Sequence, residues 1–268
     1  MRIRLTLRDW KLVSYLPINT NYYLARLLDM VINRHKDYLQ SLIPHHYDQG
    51  RKFDLFTFSQ LIIPTRSIEH NRIAVYSSEL YWYICSPYHQ FISILAREFR
   101  LKSRIKIASN TYIVSQFEYL EHPLFSTGDA KFTCLSPITL TRDTESKFED
   151  RSASPHFLLP DNAEYSNRMI KETCSKLTII TNNKINRIKF SLEYDKKYIQ
   201  RKNNKISKLI AIEKNKQKPQ YIRAVFAPLK ISTTPDILTL IYDAGLGSYN
   251  AMGFGMIRQI QGSNPGSL

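Results

Sequence analysis

The chain has 268 residues, 43% of them hydrophobic and 12% aromatic, which excludes a disordered tail and allows one large or two small buried cores. Its 38 Lys and Arg against 23 Asp and Glu leave a net charge of +15, and that excess points to a polyanionic partner, nucleic acid or an anionic membrane. No run of about 20 apolar residues could span a bilayer. The opening "MRIRLTLRDW" lacks the unbroken apolar segment of a signal peptide, so a cytoplasmic protein is expected. Cys85, Cys134 and Cys174 are too scattered for a disulfide framework or a structural zinc site.

In residues 2–8, Ile3, Leu5 and Leu7 alternate with Arg2, Arg4, Thr6 and Arg8, which predicts a strand with one face buried. After Pro17, "NTN" offers helix caps and Leu24, Leu27, Leu28, Val31 and Ile32 follow at helical spacing. His35 falls on the buried face of that helix. A second helical piece carries Leu39, Leu42 and Ile43 and stops at Pro44. Residues 52–63 read as a strand and residues 74–86 contain another. Ser86-Pro87 starts a further helix whose buried face is Tyr88, Phe91, Ile92, Leu95 and Phe99. Residues 103–117 close the set as a strand. The order strand, helix, strand, strand, helix, strand is the ferredoxin-like pattern.

The second half repeats that order: a strand at 130–140, a helix at 162–178 with the weakest apolar pattern of the set, strands at 186–194 and 221–231, a short helix from Thr234-Pro235-Asp236 to Gly245, and a last strand opening at "GFGMIRQI". The fold class is therefore α+β, two tandem ferredoxin-like domains, 1–125 and 126–268. Between Lys184 and Arg223 lie 13 Lys and Arg against Glu193, Asp195 and Glu213, a net +10. A solvated hairpin with a lysine-rich exterior would look like this. A phosphate-tracking surface that includes Lys196, Lys197, Arg201 and Lys202 is the functional alternative.

Of only 8 glycines, four (Gly245, Gly247, Gly253 and Gly255) fall within residues 242–257, "YDAGLGSYNAMGFGMI". A dinucleotide fingerprint needs a preceding strand and a third glycine where Asn250 stands, and a Walker loop needs Gly-Lys-Ser/Thr, so both are excluded. Positive φ angles could account for one or two of the four. The remainder suggests a loop that lies against a ligand backbone with free N–H groups, assisted by Ser248 and Asn250, with Tyr249 placed to stack.

The stretch "GLGSYNAMGFGM" resembles the signature of the repeat-associated mysterious proteins, and more narrowly of the CRISPR-associated endoribonuclease that cuts CRISPR repeat RNA into guides. "HHYDQGRKFDLFTFSQL" (45–61), "LSPITL" (135–140) and "HFLLPDNAEYSNRM" (156–169) are similar to further segments of that family, in the same order. The resemblance implies cleavage without metal or cofactor: the ribose 2′-hydroxyl attacks the adjacent phosphate and the 5′-oxygen leaves, giving 2′,3′-cyclic phosphate and 5′-hydroxyl ends. Such a reaction needs a base, an acid and positive charge. By position, the resemblance implies His46 or His45 for proton transfer, Lys52 (with Arg51 as alternative) for the charge, and Tyr38 as a tyrosine from the first helical region. It also implies precursor CRISPR repeat RNA as partner, gripped by Lys196, Lys197, Arg201, Lys202 and the loop residues Gly245, Gly247, Ser248, Asn250, Gly253 and Gly255. The rival is a catalytically inactive RNA-holding subunit of a CRISPR interference complex. Homodimers occur among similar proteins, and no surface in the sequence announces one.

Overall fold

The computed structural model describes residues 1–43, 54–101, 104–142, 157–212 and 220–260. It is a mixed α+β protein of two domains. In the N-terminal half, β1 (Arg2–Arg8) is the centre of a five-stranded sheet. It pairs antiparallel with β6 (Glu79–Cys85) on one side and β8 (Asn110–Leu120) on the other. The short β3 (Thr57–Phe58) pairs with β6, and β7 (Arg104–Ile107) with β8. Helices α1 (Asn21–Arg34), α2 (Lys36–Leu42) and α3 (His89–Leu101) accompany that sheet. Between sheet and helices lies a core around Phe56, Phe58, Trp82, Phe91 and Phe99, in which Trp82 meets Phe58 and Phe99 edge-on with centroids 5.8 and 6.0 Å apart. Each such fully buried side chain contributes roughly 1.5–3 kcal/mol of transfer free energy.

The C-terminal half has a four-stranded sheet in the order β10 (Ser191–Tyr194), β13 (Leu229–Ser232), β9 (Asp129–Cys134), β14 (Ile257–Gln259). Helices α4 (Tyr165–Thr181) and α6 (Pro235–Ala244) pack on it around Phe132, Met169, Leu238 and Ile241. In both halves, setting aside added strands, the first strand of the unit sits between the third and the fourth, with the second at the edge.

Several expected strands divide. The expected strand 103–117 is, from residue 104 on, a hairpin, with β7 and β8 meeting at a turn where Ala108 has φ 53. Residues 72–75 form β5, which joins β2 (Ser14–Pro17) and β4 (Arg66–Glu69) in a separate small sheet, and His70 and Asn71 make the β4–β5 turn with φ 47 and 59. Of the expected strand 52–63, the described residues 54–63 contribute only β3 and an isolated bridge at Ile62. The expected strand 221–231 breaks at Ala227-Pro228, because proline cannot donate to a ladder. Its first part, β12 (Gln220–Val225), pairs with β11 (Ser207–Ile212), and its second part is β13. β1 is buried on both faces near its start: Arg2 is 3% exposed, because the C-terminal domain covers that end.

Candidate functional site

The glycine-rich segment leaves α6 at Gly245, makes a 3₁₀ turn at Asn250–Met252 and enters β14. All four glycines have positive φ, between 72 and 84°, so backbone conformation accounts for every one of them. The expectation of free N–H groups facing a ligand is corrected at most of the loop. The Gly245, Leu246, Ser248, Gly253 and Gly255 amides donate to Ile241, Gly255, Thr139, Asn250 and Pro137 carbonyls at 2.7–3.0 Å. Gly245, Gly247, Asn250, Gly253 and Gly255 are buried, while Ser248 and Tyr249 are half-buried.

Asn250 acts as a staple within the loop. Its Nδ2 donates to the Leu246 and Phe254 carbonyls at 3.2 and 2.9 Å, and its Oδ1 accepts from Lys176 Nζ at 2.6 Å. The same ammonium donates to the Gly245 and Gly247 carbonyls at 2.7 and 2.8 Å. Burial pushes the Lys176 ammonium down to about 8, against the opposing pull of the Glu172 and Asp54 carboxylates. Two turns earlier on α4, Arg168 donates to the Thr141 carbonyl at 2.7 Å and pairs with Glu172 at 2.5 Å. Ser248 Oγ reaches that Glu172 carboxylate at 3.3 Å. Tyr249 packs on Phe157 with centroids 6.5 Å apart, and burial pushes its hydroxyl up to about 12.

The outer side of the loop touches the N-terminal domain. Asn21, in the first turn of α1, donates to the Met252 and Gly253 carbonyls at 3.0 Å each. Thr57 Oγ1 of β3 donates to the Phe254 carbonyl at 2.8 Å. The β11–β12 hairpin lays Ile210, Ile212, Ile222 and Ala224 over Phe254, and its other face exposes Leu209, Tyr221 and Arg223. Among the described residues, α1 and β3 of the N-terminal domain and the β11–β12 hairpin of the C-terminal domain thus flank the loop.

His45, His46, Arg51 and Lys52 lie outside the described residues; on either side of them, Ile43 and Leu55–Phe58 are buried. Tyr38 is exposed on α2 and lines an open cleft of about 430 Å³ with His35, His89, Gln90, Ser93 and Arg97. His35 does not lie on a buried helix face: it occupies the break between α1 and α2, half-buried, with Nε2 3.2 Å from Glu98 Oε1. The structure does not bring Tyr38 to the glycine loop. Asn21 touches the loop at one end of α1 and Tyr38 follows the other, a helix of about 20 Å.

Lys196, Lys197, Arg201 and Lys202 are exposed. They sit on α5 (Lys196–Arg201) and its C-cap, not on a hairpin strand, because Asp195 caps that helix by accepting from the Tyr198 amide at 2.9 Å. Lys205 and Lys208 continue the exposed basic run. Lys176, Arg168, Asn21 and Thr57 were not singled out from the sequence. Arg168 and Lys176 left only the weak apolar pattern of α4, whose buried face includes Arg168, Thr173 and Lys176, while Asn21 stood among the "NTN" cap residues and Thr57 in the "FTFS" segment. Among the described residues no three His, Cys, Asp or Glu side chains are grouped to hold a metal, and no helix is long and apolar enough to cross a membrane.

Comparison with known proteins gives a consistent picture. The model of the CRISPR-associated protein Cas6 N-terminal region matches residues 15–118, and that of the Cas6 C-terminal region matches residues 120–259. The CRISPR-associated endoribonuclease Cas6 1 of Methanocaldococcus jannaschii is 26% identical over 268 residues, covering 98% of this chain and 94% of that protein. A solved CRISPR-associated protein Cas6 superposes with TM-score 0.73 at 24% identity, covering 97% of this chain and 99% of the other. A Cas6-related protein from Pyrococcus furiosus superposes with TM-score 0.77 at 20% identity, covering 98% and 99%. A RAMP protein described as binding different RNA substrates superposes with TM-score 0.77 at 22% identity, covering 97% and 100%.

Proposed function

Because the chain belongs to the Cas6 family of CRISPR-associated endoribonucleases, we propose that it binds precursor CRISPR repeat RNA and cuts it, without metal, into guides. The observation that carries this reading is the match of both halves of the chain to the family. The exposed basic residues of α5 supply a surface for the phosphates. The strand order of each half supports two ferredoxin-like units, which we divide at residue 125.

In this mechanism His46 or His45 withdraws the proton of the ribose 2′-hydroxyl, and the resulting oxygen attacks the adjacent phosphorus. The P–O5′ bond breaks and the leaving oxygen takes a proton, so the products carry a 2′,3′-cyclic phosphate and a 5′-hydroxyl. Imidazole suits both transfers because its pKa lies near neutrality. The Lys52 ammonium stabilises the charge that builds on the phosphorane oxygens. Tyr38 is the proposed tyrosine of the site. RNA phosphates lie along Lys196, Lys197, Arg201 and Lys202, and the glycine loop offers RNA its half-buried edge, Ser248 and Tyr249. The glycines and Asn250 shape that edge from beneath.

Repeat RNA from the CRISPR array nearest the gene, incubated in EDTA, tests the proposal. Wild type should cut it, a 2′-deoxy nucleotide at the cut should block cleavage, and either His46→Ala or His45→Ala should abolish it. Tyr38→Phe should slow it. Tight binding without cleavage in every sample would instead identify an RNA-holding subunit.

A further inference from the structure

Lys176 is a lysine in a place that lysine rarely occupies. It lies on α4 with 8% of its surface exposed, and its three ammonium protons meet three acceptors at 2.6–2.8 Å. Three donors on three acceptors is the full capacity of the group. Two acceptors are backbone carbonyls on either side of Leu246 and the third is the Asn250 carboxamide. Carbonyl dipoles converging on one point repel one another unless a positive charge sits between them, and buried acceptors stripped of a donor cost free energy.

The contacts continue from there without a gap. Asn250 Nδ2 holds the Phe254 carbonyl at 2.9 Å, and Thr57 Oγ1 of β3 holds the same carbonyl at 2.8 Å. Asn21 of α1 holds the Met252 and Gly253 carbonyls. β3 is also the strand into which the residue 45–52 segment leads in sequence. Two carboxylates act on the ammonium by their charge: Glu172, one turn away on the same helix and itself paired with Arg168, and Asp54, at the approach to β3.

We propose that Lys176 is a positioning residue: its ammonium is the internal cation of the glycine loop, and through the loop it fixes β3 and the first turn of α1. Its effect on cleavage rests on the endonuclease reading; its effect on the order of loop and strand does not.

The test compares wild type with Lys176→Met, Lys176→Arg and, as a control on the exposed face of α4, Lys171→Met. Amide hydrogen exchange is followed in residues 244–257 and 54–60, beside single-turnover cleavage and RNA affinity. Lys176→Met should speed exchange in both segments and slow single-turnover cleavage, each by about tenfold or more, with RNA affinity within about threefold of wild type. Lys176→Arg should recover part of both losses, and Lys171→Met should behave as wild type. Thr57→Val removes the last link of the chain and leaves Lys176 in place. It should slow cleavage and loosen 54–60 while 244–250 stays protected, which tests the link from loop to strand; Lys176→Gln, which keeps a side-chain donor but no charge, replaces Lys176→Met if that variant does not fold and should likewise loosen both segments. Wild-type exchange at 54–60 in folded Lys176→Met, or an unaltered 54–60 in Thr57→Val, overturns the proposal. If wild-type protein does not cut repeat RNA, the endonuclease reading falls, and the exchange data alone judge the role of Lys176.

Discussion

At Gly255 a Cβ would stand 2.0 Å from the Leu246 carbonyl oxygen, with φ at +79°. That contact is with backbone, in a place where the Leu246 amide also bonds to the Gly255 carbonyl, so neither side can move aside without breaking the pairing. At Gly245 the obstruction is made of side-chain atoms, Asn250 Nδ2 at 2.7 Å and Thr57 Cγ2 at 2.9 Å. Both positions bear the left-handed cost, and only the first adds a rigid collision. Gly255→Ala is therefore expected to destabilise the protein by about 3 kcal/mol or more, and Gly245→Ala by clearly less. Urea midpoints of the two variants measure this. Equal losses would mean that backbone conformation alone sets the cost.

At the scale of elements, α5 shows how charge and fold are separated. Lys196, Lys197, Arg201 and Lys202 are exposed, so replacing all four with Ala should leave the melting temperature within a few degrees. Affinity for repeat RNA should fall, and the slope of log affinity against log salt should flatten by up to about 3, at roughly 0.7 per single-strand phosphate released. An unchanged slope would place the RNA elsewhere. Most elements were legible from the sequence because periodicity is a local property: β1, α1, α3 and α6 lie where alternation, apolar spacing or a Thr-Pro start marked them. The divisions at Ala108 and at Ala227-Pro228 were less legible, since each side of the break keeps a strand-like pattern and only the choice of partner strand separates them. The same limit hid the site's supports. Lys176 looks like a surface lysine until α4 is turned against the loop, and Asn21 looks like a helix cap although it bonds to residues 252 and 253. The glycine cluster was found from composition, but its burial depended on the β11–β12 hairpin, whose contact residues Ile210 to Ala224 lie 21 or more residues before Gly245.

In the whole molecule the two domains are joined by buried polar contacts as well as by apolar packing. Arg2, from the central strand of the N-terminal sheet, donates to the Tyr242 and Ile257 carbonyls at 3.0 and 2.8 Å and lies 3.7 Å over the Tyr242 ring. Beside it Asp243 accepts the Met1 ammonium at 2.6 Å and lies 3.4 Å from His122 Nε2. Burial pushes the Asp243 carboxyl up, but His122 and the ammonium outweigh it and hold the group below its ordinary value. A carboxyl held low in the folded state stabilises the fold above its unfolded pKa of about 3.9 and loses that contribution as pH falls through the folded value. Asp243→Asn should accordingly be less stable than wild type at pH 6–7, and the gap should close as pH drops below about 4. Because Arg2 and Asp243 bind each domain to the other, the denaturant curves at neutral pH should show one transition for both domains in wild type. A gap that persists unchanged into acid would assign Asp243 a packing role without a charge. Two transitions in wild type would mean that the polar seam does not couple the domains.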